Sequence, residues 1–254
     1  EEPEFSVGSW FAMLFAAGMG IGLVFWGVAE PLSHYGAPPP GVLANTPEAA
    51  NAAMRYSFFH WGLHPWAVYS VVALAIAFFS FRRGRPALIS SATEALPFSW
   101  APRLTVVVNV LAVVATAFGV AASLGIGALQ INSGLHAVFG LEVGLASQLA
   151  IIAVTTVLFL ASALTGVGKG IKWLSNMNLL LALALMLVVF MVGPTVAIID
   201  TFTNTLGAYA SDFVRMSLRM TPFRDSGWVG GWTVFYWAWW IAWSPFVGLF
   251  IARV

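Results

Sequence analysis

Residues 9–29 read SWFAMLFAAGMGIGLVFWGVA and contain no charged side chain. A helix of about 20 mostly apolar residues crosses the ~30 Å hydrocarbon layer of a bilayer, so this stretch predicts a membrane span. Five further stretches have the same character, over residues 60–81, 104–130, 143–164, 179–199 and 231–252. None alternates apolar and polar residues as a barrel strand does. The sequence therefore predicts an all-α integral membrane chain with six transmembrane helices.

The overall composition excludes most soluble functions. Of the 254 residues 60% are hydrophobic and 8% are charged, whereas soluble domains carry about 25% charged residues. A net charge of +1 supplies no basic field for nucleic acid. With no cysteine and no recognisable catalytic triad, phosphate loop or carboxylate pair, we expect neither an enzyme nor a bound cofactor.

Basic residues in the predicted loops indicate the orientation. Seven would lie on one side, Arg82, Arg83, Arg85, Arg103, Lys169, Lys172 and Arg253, and four on the other, Arg55, Arg215, Arg219 and Arg224. The positive-inside rule places the first set in the cytoplasm and predicts a multi-pass protein of the cell inner (plasma) membrane. Because neither end resembles a natural terminus, we expect a part of a larger transporter or a shortened form of one.

Two connecting segments carry their own signals. Residues 31–44 include three consecutive prolines, which predict an extended outer loop that is not helical. Residues 200–228 mix apolar and polar positions at roughly helical spacing, which predicts an amphipathic helix lying on the outer membrane surface. A simple loop is the alternative for that second segment.

Glycines at alternate positions, Gly18, Gly20 and Gly22, weaken one turn of the first span. Each costs a helix about 1 kcal/mol relative to alanine, so the run predicts an opened turn whose free backbone groups could meet an ion or a zwitterion. Close helix packing through small residues is an equally weighted alternative. A second interruption is predicted in span six at Ser244 and Pro245, because proline removes a backbone hydrogen bond.

Tryptophans in the middle of span six do not fit an interfacial belt. Trp239, Trp240 and Trp243 lie there, and span two adds Trp61, Trp66 and Tyr69. Ring faces attract quaternary ammonium groups, so we predict a cation cage, with ordinary packing of the rings as the alternative. Because Glu30 and Asp200 fall at span ends and leave no mid-span carboxylate, a zwitterion that brings its own carboxylate is favoured.

Histidines are spaced four residues apart at His60 and His64, as in some metal sites. No third ligand is evident from the sequence, and a zinc site needs at least three protein ligands. Satisfied interfacial histidines are therefore expected here rather than a metal site.

The strings FAMLFAAGMGIGLVFWGVAEPLSHY, FHWGLHPWAVY, FGVAASLGIGALQIN and WTVFYWAWWIAWSPFVGLFIAR resemble the betaine/choline/carnitine transporter family, and the resemblance covers the whole chain. It implies an apparently incomplete leucine-transporter-type fold of two inverted five-helix repeats within one transmembrane domain, residues 1–254. Residues 9–199 would form the first repeat, and residues 231–252 the first helix of the second. The resemblance also implies a homotrimer.

Several residue roles follow from the resemblance alone. The cage residues would be Trp239, Trp240 and Trp243, a second aromatic group Trp61, Trp66 and Tyr69, and a flexible substrate-facing segment Ala17, Gly18, Met19, Gly20, Ile21 and Gly22. Phe246 and Phe250 match positions near the ion site and the inner gate. The backbone of Ala16 and Met19 would bind one sodium ion, and the hydroxyls of Thr116 and Ser123 are candidates for a second.

The family's proton-coupled choline carriers tend to have aspartate where Gly22 stands. Gly22 therefore implies sodium-coupled import of a trimethylammonium compatible solute such as glycine betaine. The expected partners are this small zwitterion, sodium and the lipid bilayer. Alternatives are a proton-coupled choline or carnitine carrier, or a transport-incompetent membrane fragment or structural partner.

Overall fold

The computed structural model describes residues 4–93, 96–223 and 227–254, apart from the side chains of Met19 and Ile21. Arg224, which the orientation prediction counted, lies outside the described residues. The α-helices are α1 (Val7–Gly36), α2 (Pro47–Trp61), α3 (Leu63–Ala77), α4 (Ala101–Phe139), α5 (Leu145–Leu164), α6 (Lys172–Val192), α7 (Thr195–Ser217), α8 (Gly227–Val229) and α9 (Phe235–Arg253). A π-helical turn at Phe78–Arg82 extends α3, and another at Val167–Ile171 precedes α6. A third, at Gly230–Val234, joins α8 to α9, and a 3₁₀ turn covers Ile89–Ala92.

Five helical segments in the described part of the chain are long and apolar enough to cross a membrane. They are Pro47–Arg82, Ala101–Phe139, Leu145–Leu164, Val167–Val192 and Gly227–Arg253, and α1 is a sixth if its two halves form one span. This architecture confirms the predicted all-α membrane fold.

The first helix bends at the glycine run. Its halves, Val7–Gly18 and Gly22–Gly36, meet at 60°, although residues 18–22 keep helical hydrogen bonding. The weak turn therefore lies where the sequence predicted it. It is a bend within a continuous helix and not an opened turn.

The prediction of a non-helical loop from residue 31 is wrong for its first turn, because α1 continues through Pro31 to Gly36. Side chains bridge this turn from one residue to the fourth beyond it. Ser33 Oγ donates to the Ala29 carbonyl at 2.7 Å, and Glu30 is bonded to His34. These contacts stabilise the turn in which proline supplies no backbone donor.

The fifth span lies nearer the N-terminus than predicted, over Val167–Val192 instead of residues 179–199. Gly193 and Pro194 end it, since proline has no N–H to continue the helical ladder. Lys169 and Lys172 consequently sit in the first turns of the span and not in a loop. Basic side chains can be accommodated there because their long stems let the charged ends reach the interface.

Helix α7 occupies the segment for which an amphipathic helix was predicted, beginning at Thr195. It packs on α2 through an Arg55–Asp212 ion pair and an Asn51–Asn204 hydrogen bond. Tyr209 of α7 accepts a hydrogen bond from the Leu63 backbone N–H at 3.1 Å, and burial raises the pKa of its phenol. The contact holds α7 against the break between α2 and α3.

The predicted interruption at Ser244 and Pro245 is wrong, because α9 runs through both residues. Pro245 cannot donate to the Ile241 carbonyl, and Ser244 Oγ donates to that carbonyl instead at 2.8 Å. The irregular turn of this span lies earlier, in the π-helical stretch Gly230–Val234. Helix α9 lies along α3, with α4 beside it. Their packing brings aromatic side chains of these helices together in a cluster, which we call the aromatic core.

Candidate functional site

Trp240 is the buried centre of the aromatic core. Its side chain is 2% exposed, and its indole N–H donates to the His60 carbonyl at 3.0 Å. Carbonyls in the last turn of a helix lack a backbone partner, and α2 ends one residue after His60, at Trp61, with Gly62 as its cap. The His60 carbonyl is thus available to accept the hydrogen bond that fixes the orientation of the indole.

The rings predicted from span two and from span six form one cluster. Ring centroids lie 4.9 Å apart between Trp61 and Trp240, 5.2 Å between Trp239 and Trp240, and 6.3 Å between Tyr69 and Trp240. Trp66 contacts Tyr69 at 6.0 Å. The Tyr69 hydroxyl is buried and has no hydrogen-bond partner among the described residues, so an unpaired polar group lies inside the cluster.

The glycine run of α1 packs directly against these rings. A Cβ on Gly18 would lie 2.9 Å from the Trp66 ring, and one on Gly22 would lie 3.3 Å from the Trp61 ring. A Cβ on Gly20 would meet nothing within 4 Å. The close-packing interpretation therefore holds at Gly18 and Gly22, whereas the predicted opened turn is wrong, because the helix bends there with its hydrogen bonding kept.

Trp243 joins the run to α4. Its indole N–H donates to the Ala17 carbonyl at 3.4 Å, and its ring lies against Gly119, where a Cβ would be 2.4 Å from a ring carbon. Sequence reasoning missed Gly119, since a single glycine in an apolar span gives no sign of its partner. The Trp243 and Phe246 ring centroids are 4.9 Å apart.

The residues predicted for ions and gates face different cavities. Ser123 lines one of about 270 Å³ together with Trp243 and Phe246. Thr116 lines another of about 610 Å³, also with Phe246, and Phe250 lines a third of about 440 Å³ near the end of α9. Among the sodium candidates, Ser123 is thus the hydroxyl that shares a cavity with a predicted cage residue.

The backbone candidates for sodium, Ala16 and Met19, flank the start of the bend in α1. Between them, the Ala17 carbonyl accepts the bond from Trp243. Met19 and Ile21 of the predicted substrate-facing segment have side chains that lie outside the described part of the structure.

Glu30 is placed differently from the expectation that it marks a span end. It is fully buried within α1. Its Oε1 atom lies 3.0 Å from His34 Nε2 and 2.6 Å from His60 Nδ1. Its Oε2 atom accepts from Trp61 Nε1 at 2.8 Å and from the Tyr236 hydroxyl at 2.7 Å. This carboxylate therefore ties α1 to α2 and to the aromatic core.

The histidine pair is also divided differently from the expectation. His60 joins Glu30 and His34, whereas His64 Nε2 bonds Ser217 Oγ of α7 at 2.9 Å. The cluster around His60 therefore contains Glu30 and His34 of α1 in place of His64. The four-residue spacing of Glu30 and His34 was the available signal, and the bridge to His60 depends on how α1 packs against α2.

The similarity to known proteins extends over the whole chain. The family model described as betaine/carnitine/choline family transporter matches residues 1–254. The glycine betaine transporter OpuD of Bacillus subtilis is 54% identical over 263 residues, which cover 100% of this chain and 50% of that protein. The ectoine/hydroxyectoine transporter of Virgibacillus pantothenticus is 50% identical over 254 residues, covering 100% and 50%.

A third relative, glycine betaine transporter 1 of Vibrio parahaemolyticus, is 48% identical over 260 residues, covering 99% of this chain and 48% of that protein. The chain spans about half the length of the curated relatives it matches.

Proposed function

The chain belongs to the betaine/carnitine/choline transporter family, and from this we propose that the full-length protein carrying this sequence is a secondary active transporter importing a trimethylammonium compatible solute such as glycine betaine. The observation that carries the proposal is the cluster of Trp61, Trp239 and Trp240 rings beside the glycine run. A quaternary ammonium group has no hydrogen-bond donor, so aromatic faces are the groups that recognise it, each contributing about 0.5–2 kcal/mol.

One further feature supports a zwitterion as the substrate. The buried Tyr69 hydroxyl is free to donate to an anionic group. A substrate carboxylate would supply the acceptor that the hydroxyl lacks among the described residues, and leaving a buried donor unpaired costs about 1–3 kcal/mol. A molecule with an onium head and a carboxylate would therefore match both the rings and the hydroxyl.

The bend of α1 supports a role in alternating access. Its two halves meet at 60°, and Gly18 and Gly22 lie against rings of α2, α3 and α9. A change in the bend would alter the space between the glycine run and Trp61, Trp66 and Trp239. In transporters, interrupted helices near the bilayer midplane commonly line the substrate site.

Sodium coupling and a homotrimeric assembly are part of the proposal and rest on the family resemblance. Backbone carbonyls at Ala16 and Met19, beside the bend, would bind one sodium ion, and Ser123 is the better placed hydroxyl for a second. Uptake that needs a proton gradient and persists without sodium would replace this coupling with the proton-coupled alternative.

A second substrate class is favoured by a specific observation. The ectoine/hydroxyectoine transporter is 50% identical with this chain over its entire length, close to the 54% of the glycine betaine transporter. A compatible solute of the ectoine type is therefore the second candidate, and uptake competition between glycine betaine and ectoine distinguishes the two.

The test is uptake of radiolabelled glycine betaine by full-length protein in liposomes, with and without a sodium gradient. Replacing Trp240 by Leu removes a π-face, and a loss of about 0.5–2 kcal/mol corresponds to roughly 2–30-fold weaker binding. Trp173→Leu is the control, because Trp173 is 60% exposed and outside the cluster. Unchanged affinity in Trp240→Leu, or equal losses in both variants, would refute the aromatic cage.

A further inference from the structure

The Glu30, His34 and His60 side chains form a group that the transport proposal does not use. All three are completely buried, and one ligand atom from each lies within 4.8 Å of the other two. Among the described residues, the side chains bonded to Glu30 are two imidazoles, an indole and a phenol. None of these carries a permanent positive charge, whereas buried charges in proteins are paired with an opposite charge or coordinate a metal ion.

The donor set suits a transition metal ion. One carboxylate and two imidazoles are the three protein ligands of many open zinc sites, with bonds of about 2.0–2.2 Å. Ligands at that distance in a tetrahedral arrangement lie about 3.3 Å apart. Glu30 Oε1 lies 3.0 Å from His34 Nε2 and 2.6 Å from His60 Nδ1, and all three ligand atoms lie within 4.8 Å of one another. The two separations from Glu30 would therefore lengthen by about 0.3 and 0.7 Å to admit the ion.

Surrounding residues already orient each ligand. His60 Nε2 lies 3.0 Å from Thr233 Oγ1, an outer partner that would fix the tautomer leaving Nδ1 free for the metal. Glu30 Oε2 is held by Trp61 and Tyr236, which leaves Oε1 directed at the histidines. The His34 ring is positioned by the Trp232 ring, with centroids 4.4 Å apart.

We propose that Glu30, His34 and His60 form a binding site for a divalent first-row transition metal ion, best suited to Zn²⁺, joining the outer half of α1 to α2. The ligand atoms are Glu30 Oε1, His34 Nε2 and His60 Nδ1. Three protein ligands would leave a fourth position for water, as in open zinc sites. The site lies beside the aromatic core, because Trp61 donates to Glu30 and Trp240 donates to the His60 carbonyl.

The experiment titrates Co²⁺, a spectroscopic substitute for Zn²⁺, into EDTA-treated full-length protein in lipid nanodiscs and records visible absorption. The expected result is a d–d band that saturates at one Co²⁺ per chain and disappears when Zn²⁺ is added. His34→Gln and His60→Gln should each weaken Co²⁺ binding at least tenfold. His64→Gln is the matched control, since His64 is four residues from His60 on the chain but bonds Ser217 instead.

A second measurement follows the unfolding temperature. An ion that binds only the folded state raises the unfolding temperature, so Zn²⁺ should stabilise the wild-type protein and the His64→Gln protein. Absence of a stoichiometric Co²⁺ band, an unchanged band in both His34→Gln and His60→Gln, or an unfolding temperature indifferent to Zn²⁺ would each overturn the site. The three residues would then form a purely hydrogen-bonded contact.

Discussion

Replacement of Gly119 by Ala tests the packing of α4 against the aromatic core. A Cβ at this position would lie 2.4 and 2.5 Å from two carbons of the Trp243 ring, whereas ordinary contacts between carbons are about 3.5–4.0 Å. The indole must therefore move by about 1 Å, which strains its bond to the Ala17 carbonyl. Overpacking of this kind costs typically 1–3 kcal/mol.

A matched control lies on the same helix. A Cβ on Gly125 would meet nothing within 4 Å, so Gly125→Ala brings the same gain in helix propensity, about 1 kcal/mol, without the clash. Because that gain is common to both variants, their free energies of unfolding should differ by the overpacking cost alone, about 1–3 kcal/mol.

The assay is reversible unfolding of the purified full-length variants in mixed micelles, followed by tryptophan fluorescence. We expect Gly119→Ala to be the less stable of the two and Gly125→Ala to equal or exceed the wild type. Equal stability of the two variants would show that the Trp243 ring does not rest on Gly119, and the position of the indole would have to be revised.

Two further substitutions test other contacts. Gly22→Ala places a methyl group 3.3 Å from the Trp61 ring, while the methyl group of Gly20→Ala meets nothing within 4 Å. Glycine betaine uptake should therefore be several-fold lower in Gly22→Ala than in Gly20→Ala. Equal uptake would contradict the packing of the glycine run. Tyr209→Phe removes the acceptor of the Leu63 N–H and should lower the free energy of unfolding by about 1 kcal/mol; a stability equal to the wild type, measured by the same unfolding assay, would show that α7 does not support the break between α2 and α3.

Boundaries show where local reasoning about the sequence stops being sufficient. The predicted fifth span begins too late because the prediction places Lys169 and Lys172 in a loop, although a span can begin with lysines whose long side chains reach the interface. The start of the loop predicted from residue 31 and the interruption predicted at Pro245 are wrong, because α1 and α9 continue through both prolines. Ser33 and Ser244 donate side-chain hydrogen bonds to helix carbonyls of the preceding turn. Hydropathy does not report such side-chain hydrogen bonds.

The aromatic residues illustrate the intermediate case. Their position in the middle of span six was visible in the sequence, and so was the second set around Trp61. That the two sets meet could be expected only from the family resemblance, because 179 positions separate Trp61 from Trp240. The structure brings their ring centroids to 4.9 Å, while the binding of a substrate by these rings stays a prediction for the uptake assay.

The sequence by itself determined that the chain is helical and spans a membrane, because span length and apolar composition are local properties. In lipid the backbone groups of a span find their hydrogen-bond partners within their own helix. Only the tertiary structure decided what the few polar groups do. Glu30 and Tyr236 are 206 positions apart yet share a 2.7 Å hydrogen bond, and His34 and His60 meet on the same carboxylate. Such partners are set by which helix faces pack together, and that choice depends on contacts between distant segments.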